Sequence, residues 1–205
     1  KKNIWVKDFE KAIYCYHPDG KKGNKIVTIK IGYGKNEYNP AFGISTVAEY
    51  GDLLVVATNN GELACLDGDR GQVVWVDTWM HDNVRVENQE YRLYIDKDGN
   101  YWCEVLDHTC IYIHNEKKWY GSLPEYFAAK GIEGVPGPLM VWNLIVDDND
   151  WLWLVCDHEG VVVVDLKNKQ WKQFKNNKYD ETTISDNTLR NIYRFSDGSI
   201  WIGSY

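Results

Sequence analysis

Carboxylate and amide side chains alternate along Asp96-Lys97-Asp98-Gly99-Asn100, which is how a calcium-binding loop begins. The twelfth position of such a loop normally supplies a bidentate glutamate, and here that position is Asp107. Asp, Asn and Gly also stabilise tight turns. Because Asp147–Asp150 and Ser196–Gly198 share this composition, we predict that all three stretches are turns rather than cation sites.

Two Asp-His pairs, Asp107-His108 and Asp157-His158, recur 50 residues apart. Imidazole and carboxylate groups are common ligands of transition metals, which makes His108 and His158 weak candidates for a metal site. A hairpin turn that recurs at equivalent positions of two adjacent sequence repeats explains both pairs as well. We therefore predict no metal and no other cofactor, and no arrangement in the sequence marks a Ser or Cys as an activated nucleophile.

The elements that would position these side chains repeat along the chain. Residues 183–205 are predicted to form a loop, a strand, a Ser-Asp-Gly-Ser turn and a second strand that opens on Ile200-Trp201. The same pattern occurs at residues 143–155 and 91–105. Aligned strands centre on Trp5, Val55, Trp102, Trp153 and Trp201, at intervals of 50, 47, 51 and 48 residues. A strand-only period of this length predicts an all-β fold, the β-propeller.

Each repeat is predicted to hold four antiparallel strands, A to D. In the clearest repeat they are Asn143–Asp147, Trp151–Cys156, Val161–Leu166 and Gln170–Lys175, and strand C is apolar on both faces, as expected between neighbouring blades. The other predicted strands are Ile4–Lys7, Ala12–Tyr16 and Lys25–Ile31 (B to D), Ile44–Glu49, Leu53–Thr58, Glu62–Leu66 and Gln72–Val76 (A to D), Tyr91–Asp96, Tyr101–Val105, Cys110–His114 and Lys118–Tyr120 (A to D), and Leu189–Phe195 (A).

The whole chain, residues 1–205, is predicted to be a single propeller domain or propeller fragment. It holds four blade-like repeats of about 48 residues, near 1–43, 44–90, 91–140 and 141–186, and the start of a fifth at 187–205. The simplest interpretation is a part of a larger propeller; the alternative is a closed four-bladed ring with residues 200–205 placed elsewhere. In the longest connection, residues 121–140, Pro124 and Gly131 delimit a predicted short helix.

Composition limits the partners. With 30 acidic and 23 basic residues the net charge is −7, and no basic cluster interleaves with aromatic residues, so nucleic acid is not expected. No apolar run approaches the roughly 20 residues that cross a bilayer, so we predict no direct membrane insertion by this chain. The five cysteines include no CxxC pair, which suggests neither zinc nor a disulfide framework. Cys103 and Cys110 flank a predicted hairpin turn and could form a strained disulfide across it.

Candidate ligand-binding residues follow from the geometry of a propeller, in which D-to-A and B-to-C loops share one face and strand A lines the channel. Aromatic rings there could stack on sugars, while Arg190 and Asn143 could donate hydrogen bonds. Burial between blades is the alternative explanation for each aromatic residue. The candidates are Tyr91, Trp142 and Arg190, which share one strand-A position, with Asn143, Trp79 and Tyr126, and also Tyr33, Tyr38, Tyr120 and Phe127.

The repeats ISDNTLRNIYRFSDGSIWIGSY (184–205) and NLIVDDNDWLWLVCDHEGVVVVDLKNKQWKQF (143–174) resemble the two-component regulator propeller repeat. The resemblance covers the chain from about Tyr91 onward, whereas residues 51–75 are more similar to PQQ-like propeller repeats. The first family fills the extracytoplasmic sensor region of hybrid two-component system histidine kinases and is linked to glycan sensing. The resemblance therefore implies a periplasmic, membrane-tethered parent whose kinase would lie outside these residues.

Three functions remain open at this point. The first is a non-catalytic sensor propeller whose ligand is an oligosaccharide and whose neighbours are further propeller blades or a second copy of the chain. The second is a PQQ-like scaffold or protein-interaction propeller. The third is a propeller-fold enzyme, which is disfavoured because no paired carboxylates can be placed on a common face.

Overall fold

A computed structural model describes residues 4–7, 13–16, 44–67, 73–84 and 89–204. These residues form sixteen strands and two short helices, arranged in three four-stranded and two two-stranded sheets. The chain divides into two compact units, Lys1–Leu93 and Tyr94–Tyr205. Neither helix of the described residues is long and apolar enough to cross a membrane.

The first unit contains one two-stranded and one four-stranded antiparallel sheet. Strands β1 and β2 form the smaller sheet, and strands β3 to β6 lie in chain order in the larger one. A five-residue helix, α1, follows β6 and was not predicted from the sequence. The bounds are β1 Ile4–Lys7, β2 Ile13–Tyr16, β3 Ile44–Tyr50, β4 Leu53–Thr58, β5 Leu63–Asp67, β6 Val73–Asp77 and α1 Trp79–Asn83.

The second unit contains two four-stranded sheets and a hairpin, and its first strand begins two residues before the unit boundary. Strands β7 to β10 and β11 to β14 lie in chain order, and β15 pairs with β16. The bounds are β7 Arg92–Ile95, β8 Tyr101–Val105, β9 His108–Ile113, β10 Lys118–Tyr120, α2 Leu123–Lys130, β11 Val141–Val146, β12 Trp151–Cys156, β13 Val161–Asp165, β14 Gln170–Phe174, β15 Leu189–Arg194 and β16 Ile200–Ser204.

Consecutive four-stranded antiparallel sheets of this kind are propeller blades, so the predicted fold class is confirmed. Each predicted strand in the described residues is present, and differences are confined to strand ends. The largest are of two residues: β11 begins at Val141 rather than Asn143, and in the third repeat β9 begins at His108 rather than Cys110. Its turn is shorter than expected because Leu106 adopts a left-handed conformation, with φ of 54°. The predicted strand Lys25–Ile31 and the candidates Tyr33 and Tyr38 lie outside the described residues.

Strand β13 is packed on both faces of its sheet. Val162 and Val164 pack into a cluster with Leu152, Leu154 and other residues on one face of the sheet. Val161 and Val163 pack on the opposite face, against residues that include Leu189 and Ile192 of β15. The prediction that strand C is buried on both faces is therefore confirmed, and the burial of apolar area between sheets is the main stabilising contribution.

The predicted helix in residues 121–140 is also present as α2. The Ser122 hydroxyl accepts a hydrogen bond from the Glu125 amide at 3.3 Å, and Gly131 ends the helix with φ of 65°. A side-chain cap of this kind is worth about 1 kcal/mol. The buried face of α2 carries Tyr126 and Phe127, which pack onto the sheet that ends in β10.

Candidate functional site

The first strand of three blades carries a β-bulge at the same place. Register shifts lie between Ile44 and Thr46 in β3, between Val141 and Asn143 in β11, and between Leu189 and Asn191 in β15. A bulge inserts one residue into a strand and re-aims its side chain. The inserted residues are Ser45, Trp142 and Arg190. Two of them, Trp142 and Arg190, are predicted ligand contacts, and they occupy equivalent positions in β11 and β15.

Trp142 and Arg190 are in direct contact. The guanidinium carbon of Arg190 lies 3.5 Å from the centre of the Trp142 ring, a cation–π arrangement. Both side chains are half-buried. Asn143 is the next residue of β11, and its side-chain oxygen accepts a hydrogen bond from the Leu144 amide at 2.9 Å. The structure therefore brings two of the six principal candidates, Trp142 and Arg190, into contact, with Asn143 beside them in the chain.

The turn between β12 and β13 reaches the loops that lead into β11 and β15. The Asp157 amide donates to the Met140 carbonyl at 2.9 Å, and the Gly160 amide donates to the Asn187 carbonyl at 2.8 Å. His158 has φ of 61°, and its Nδ1 lies 3.0 Å from the Thr188 hydroxyl. In the second unit the B-to-C turn and the D-to-A loops thus share one end of the blade, as the propeller geometry predicts.

The loop between β14 and β15 is held by its own hydrogen bonds. The Asn176 amide donates to the Asn187 side chain and its side-chain nitrogen donates to the Ile184 carbonyl, both at 2.7 Å. The Thr183 hydroxyl donates to the Asp180 carbonyl at 2.8 Å. This loop carries Thr188 and leads directly to Arg190, so its hydrogen bonds hold the segment that enters β15.

Tyr91 and Trp79 lie in the first unit, away from this pair in the chain. Tyr91 is completely buried, and its backbone nitrogen and carbonyl both hydrogen-bond the Ser45 hydroxyl. Trp79 opens α1 and is half-exposed, with its amide donating to Asp77 at 2.7 Å. The neighbouring His81 amide donates to the Gly61 carbonyl at 3.1 Å, which places α1 over the turn between β4 and β5. A ligand-binding role for Tyr91 and Trp79 stays a prediction.

Tyr126, Tyr120 and Phe127 form an aromatic cluster under α2. The Tyr126 ring meets the rings of Trp102 and Tyr120 edge-on, with 5.4 Å between centroids in each case. Burial raises the pKa of the Tyr126 hydroxyl. Tyr120 donates a hydrogen bond to Glu116 at 2.7 Å, and this bond raises the pKa of Tyr120 to about 12. Their surroundings explain these rings by packing, and a ligand contact for Tyr126 stays a prediction.

The calcium-like stretch is a turn closed by Asp96. One carboxylate oxygen of this buried residue accepts hydrogen bonds from the amides of Asp98 and Asn100, at 3.0 and 2.9 Å. The other accepts from the Trp102 indole at 2.9 Å and from the Asn100 side chain. Both carboxylate oxygens of Asp96 therefore accept hydrogen bonds from within the chain.

Asp147 repeats this arrangement in the next blade. Its carboxylate accepts from the amides of Asn149 and Trp151, at 2.8 and 3.0 Å, and from the Trp153 indole at 3.1 Å. The interval from Asp to Trp is the same in both blades, which explains why acidic turns and tryptophans recur together. The turn interpretation of these two stretches is supported by direct contacts.

The two Asp-His pairs are not equivalent, which corrects the prediction. His108 is the first residue of β9 and pairs with Val105, whereas His158 lies inside its turn. The reason is the two-residue turn before β9. Within the part of the chain that the structure describes, no three His, Cys, Asp or Glu residues are grouped to hold a metal ion.

Cys103 and Cys110 are direct partners across β8 and β9, as the hairpin predicts, and both are buried free thiols. Burial raises the pKa of Cys110 to about 12, with a smaller contribution from Glu125. A thiol with this pKa is almost entirely protonated at neutral pH and therefore reacts slowly. The disulfide that the sequence left open is not formed.

Sequence analysis missed two features of the structure. Ser45 occupies the bulge of β3 that is equivalent to the bulges at Trp142 in β11 and Arg190 in β15, and aligning Ile44 with Val141 and Leu189 would have shown it. A groove also runs along α2 and the segment that follows it. The signal for the groove was the Gly- and Pro-rich run from Gly131 to Pro138, which departs from the blade pattern.

No protein-family model matches the chain, and no curated protein matches its sequence. Solved structures do match it. The extracellular domain of a protein described as a hybrid two-component system of B. thetaiotaomicron matches 98% of this chain with a TM-score of 0.63 at 15% identity. A second extracellular domain of this description from the same organism matches 99% of the chain with a TM-score of 0.61 at 16% identity.

This chain spans about a quarter of the length of those two structures, 25% and 24% respectively. YCF48 bound to the D1 peptide also matches, over 98% of this chain and 57% of its own, with a TM-score of 0.54 at 9% identity. Similarity at such low identity shows the fold, that of a β-propeller. Two of the matched structures come from the class of protein that the repeat motifs resemble.

Proposed function

We propose that this chain is a non-catalytic, ligand-sensing part of a propeller in the extracytoplasmic region of a hybrid two-component regulator. Support comes from the repeat motifs from Tyr91 onward and from the similarity to extracellular domains of that description. Histidine kinase activity would belong to a longer parent protein. We further propose that the ligand is derived from a glycan and that no cofactor is required.

The observation that carries this proposal is the contact between Trp142 and Arg190. An indole face stacks on the apolar face of a pyranose ring, and a guanidinium group donates several hydrogen bonds to hydroxyl or carboxylate oxygens. The two residues belong to the first strands of consecutive sheets, β11 and β15. A ligand that touches both side chains would therefore bias the spacing of two blades, which is a physical route from binding to a signal.

Isothermal calorimetry tests the proposal. Oligosaccharides of plant, host and bacterial origin would be titrated into the wild-type chain and into Arg190→Ala. We expect saturable heat from at least one glycan and a reduced affinity in the variant. Arg194→Ala is the matched control, since Arg194 lies at the other end of β15 and pairs with Asp148. The absence of heat with every glycan, or equal losses in both variants, would count against the proposal.

We also propose, as a second candidate, a protein-interaction function for the face of the second unit that carries Trp151 and Phe174. These side chains are 42% and 45% exposed, and they flank Val163, which is buried against β15 in the same cluster as Ile192. An exposed apolar surface continuous with a packed one is typical of an interface. The occupant would be a further propeller blade, packing as β15 and β16 pack on their part of this face.

Light scattering, which measures oligomeric state, distinguishes this arrangement from self-association. If further blades are the partner, the purified chain is a monomer that exposes this face, and Phe174→Lys raises its solubility without lowering its melting temperature. A stable dimer that Phe174→Lys dissociates would instead identify a second copy as the occupant. Tyr179→Lys is the control, because Tyr179 is 85% exposed on a different element.

A further inference from the structure

A groove of about 640 Å³ lies between α2 and the segment that follows it. Twelve residues line it, all between Leu123 and Leu139, so it is built entirely by the connection between β10 and β11. Its walls are mainly aliphatic and include Leu123, Phe127, Ala128, Ile132, Val135 and Leu139. A volume of this size is typical of small-molecule sites, which range over roughly 300–1,000 Å³.

Two hydrogen bonds hold the walls of the groove. The Ile132 amide donates to the Phe127 carbonyl at 2.9 Å, which turns the chain sharply at the end of α2. The Trp171 indole of β14 donates to the Glu133 carbonyl at 3.2 Å and anchors the far wall to the blade. A preformed site loses less conformational entropy on binding than a mobile one.

The side chains that line the groove favour an uncharged, apolar ligand. Eight of the lining residues have apolar side chains, three are glycines, and Glu133 is the one ionisable member of the set. At the end of α2 the Lys169 ammonium approaches Gly131, 3.4 Å from where a Cβ atom would stand. One acid and one base near the groove favour neither sign of charge. A sugar would find few side-chain partners for its hydroxyl groups here.

We propose that this groove binds an uncharged, apolar small molecule. The site is separate from the Trp142–Arg190 contact and does not depend on the function proposed above. It gives a structural reason for the length of this connection, since long ordered loops usually carry a function.

The test uses indole as a neutral probe and follows the backbone amide resonances of the intact chain by NMR. We expect saturable shifts confined to residues 123–139, with a dissociation constant on the order of 1 mM for so small a ligand. Indole-3-acetate should bind more weakly because its carboxylate would lose hydrating water on entering an apolar groove, and maltose should give no shifts there.

Two alanines of α2 provide matched variants. Both Ala128 and Ala129 are exposed, but only Ala128 lines the groove. Ala128→Trp should fill the site and weaken indole binding about fivefold or more, whereas Ala129→Trp should not. If Ala128→Trp fails to fold, Ala128→Leu replaces it. Equal effects at the two positions, shifts centred elsewhere, or no shifts up to the solubility limit of indole would each overturn the proposal.

Discussion

Arg190 stacks on Trp142, with 3.5 Å between its guanidinium carbon and the centre of the indole ring. Each residue is the one inserted by a β-bulge in the first strand of its sheet. The bulge takes the side chain out of the regular alternation of the strand, so the two residues can meet across the gap between sheets. The contact is therefore a consequence of a backbone irregularity that recurs in consecutive blades.

The first prediction concerns the strength of this contact. Trp142→Ala and Arg190→Ala should each destabilise the chain, and a double-mutant cycle should give a coupling energy of about 1 kcal/mol, the usual size of a partly buried cation–π pair. Urea unfolding followed by circular dichroism measures it. Arg190→Lys should recover part of the coupling, because an ammonium keeps the charge but loses the planar contact.

The matched control is the cycle of Trp142→Ala with Arg194→Ala. Arg194 is at the opposite end of β15 and pairs with Asp148, so its coupling to Trp142 should be indistinguishable from zero. A coupling of zero for Arg190 as well would show that the stacked geometry contributes nothing to stability.

The second prediction separates a structural carboxylate from a calcium ligand. Asp96→Asn should destabilise the chain by about 2 kcal/mol, because the buried carboxylate accepts bonds from two amides and the Trp102 indole. Asp98→Asn, at an exposed position of the same turn, should change stability by less than about 0.5 kcal/mol. Thermal unfolding of the three proteins measures the difference.

A melting experiment with calcium tests whether Asp96 is a cation ligand instead. The melting temperature of the wild-type chain should be the same with millimolar CaCl2 as with EDTA. A calcium-dependent rise in melting temperature that disappears in Asp96→Asn would mean that the Asp96 carboxylate binds a cation rather than stabilising the turn.

Much of the fold could be predicted because local chemistry and tertiary packing agree. The strand Trp151–Cys156 and the α2 caps at Ser122 and Gly131 are determined by residues that lie within the element itself. The helix α1 was not predicted, because its five residues are held by contacts with a distant turn at Asn60 and Gly61 rather than by their own propensity.

The candidate site was predictable in its members but not in its geometry. The alignment placed Trp142 and Arg190 at one equivalent position, and the structure shows that they touch. It also placed Tyr91 there, and that ring is completely buried. Which aromatic residue faces solvent depends on how neighbouring elements cover it, and that information is spread along the whole chain.

The third prediction concerns two glycines with similar backbone conformations. Gly160 has φ of +70°, and a Cβ atom there would overlap the Phe174 carbonyl and lie 3.0 Å from the Ile184 side chain. Gly198 has φ of +87° with nothing within 4 Å. Gly198→Ala should cost about 1 kcal/mol from the unfavourable dihedral alone, and Gly160→Ala should cost roughly 3 kcal/mol or more.

Chemical denaturation distinguishes the two variants. Gly160→Ala should also disturb the loop that carries Thr188, because the Gly160 amide donates to the Asn187 carbonyl. Amide resonances of residues 184–190 should therefore shift in this variant and stay in place in Gly198→Ala. Equal losses of stability would mean that the turn relaxes and the close approach to Phe174 is unimportant.

The fourth prediction is a pH dependence that originates at Glu116. Hydrogen bonds from Lys130 and then Tyr120 lower the pKa of this carboxyl group. A carboxyl group with a lowered pKa stabilises the folded chain when the pH is above the ordinary pKa near 4.3, and this contribution is lost as the pH falls through the lowered pKa.

Glu116→Gln should therefore be less stable than wild type at pH 7, by less than about 1 kcal/mol because the pair is partly exposed. The difference should be smaller at pH 3, where a larger fraction of wild-type Glu116 is protonated as well. Glu181→Gln, an exposed change in the loop before β15, should match wild type at both pH values. An undiminished difference for Glu116→Gln at pH 3 would show that the packing of α2, rather than the charge of Glu116, is responsible.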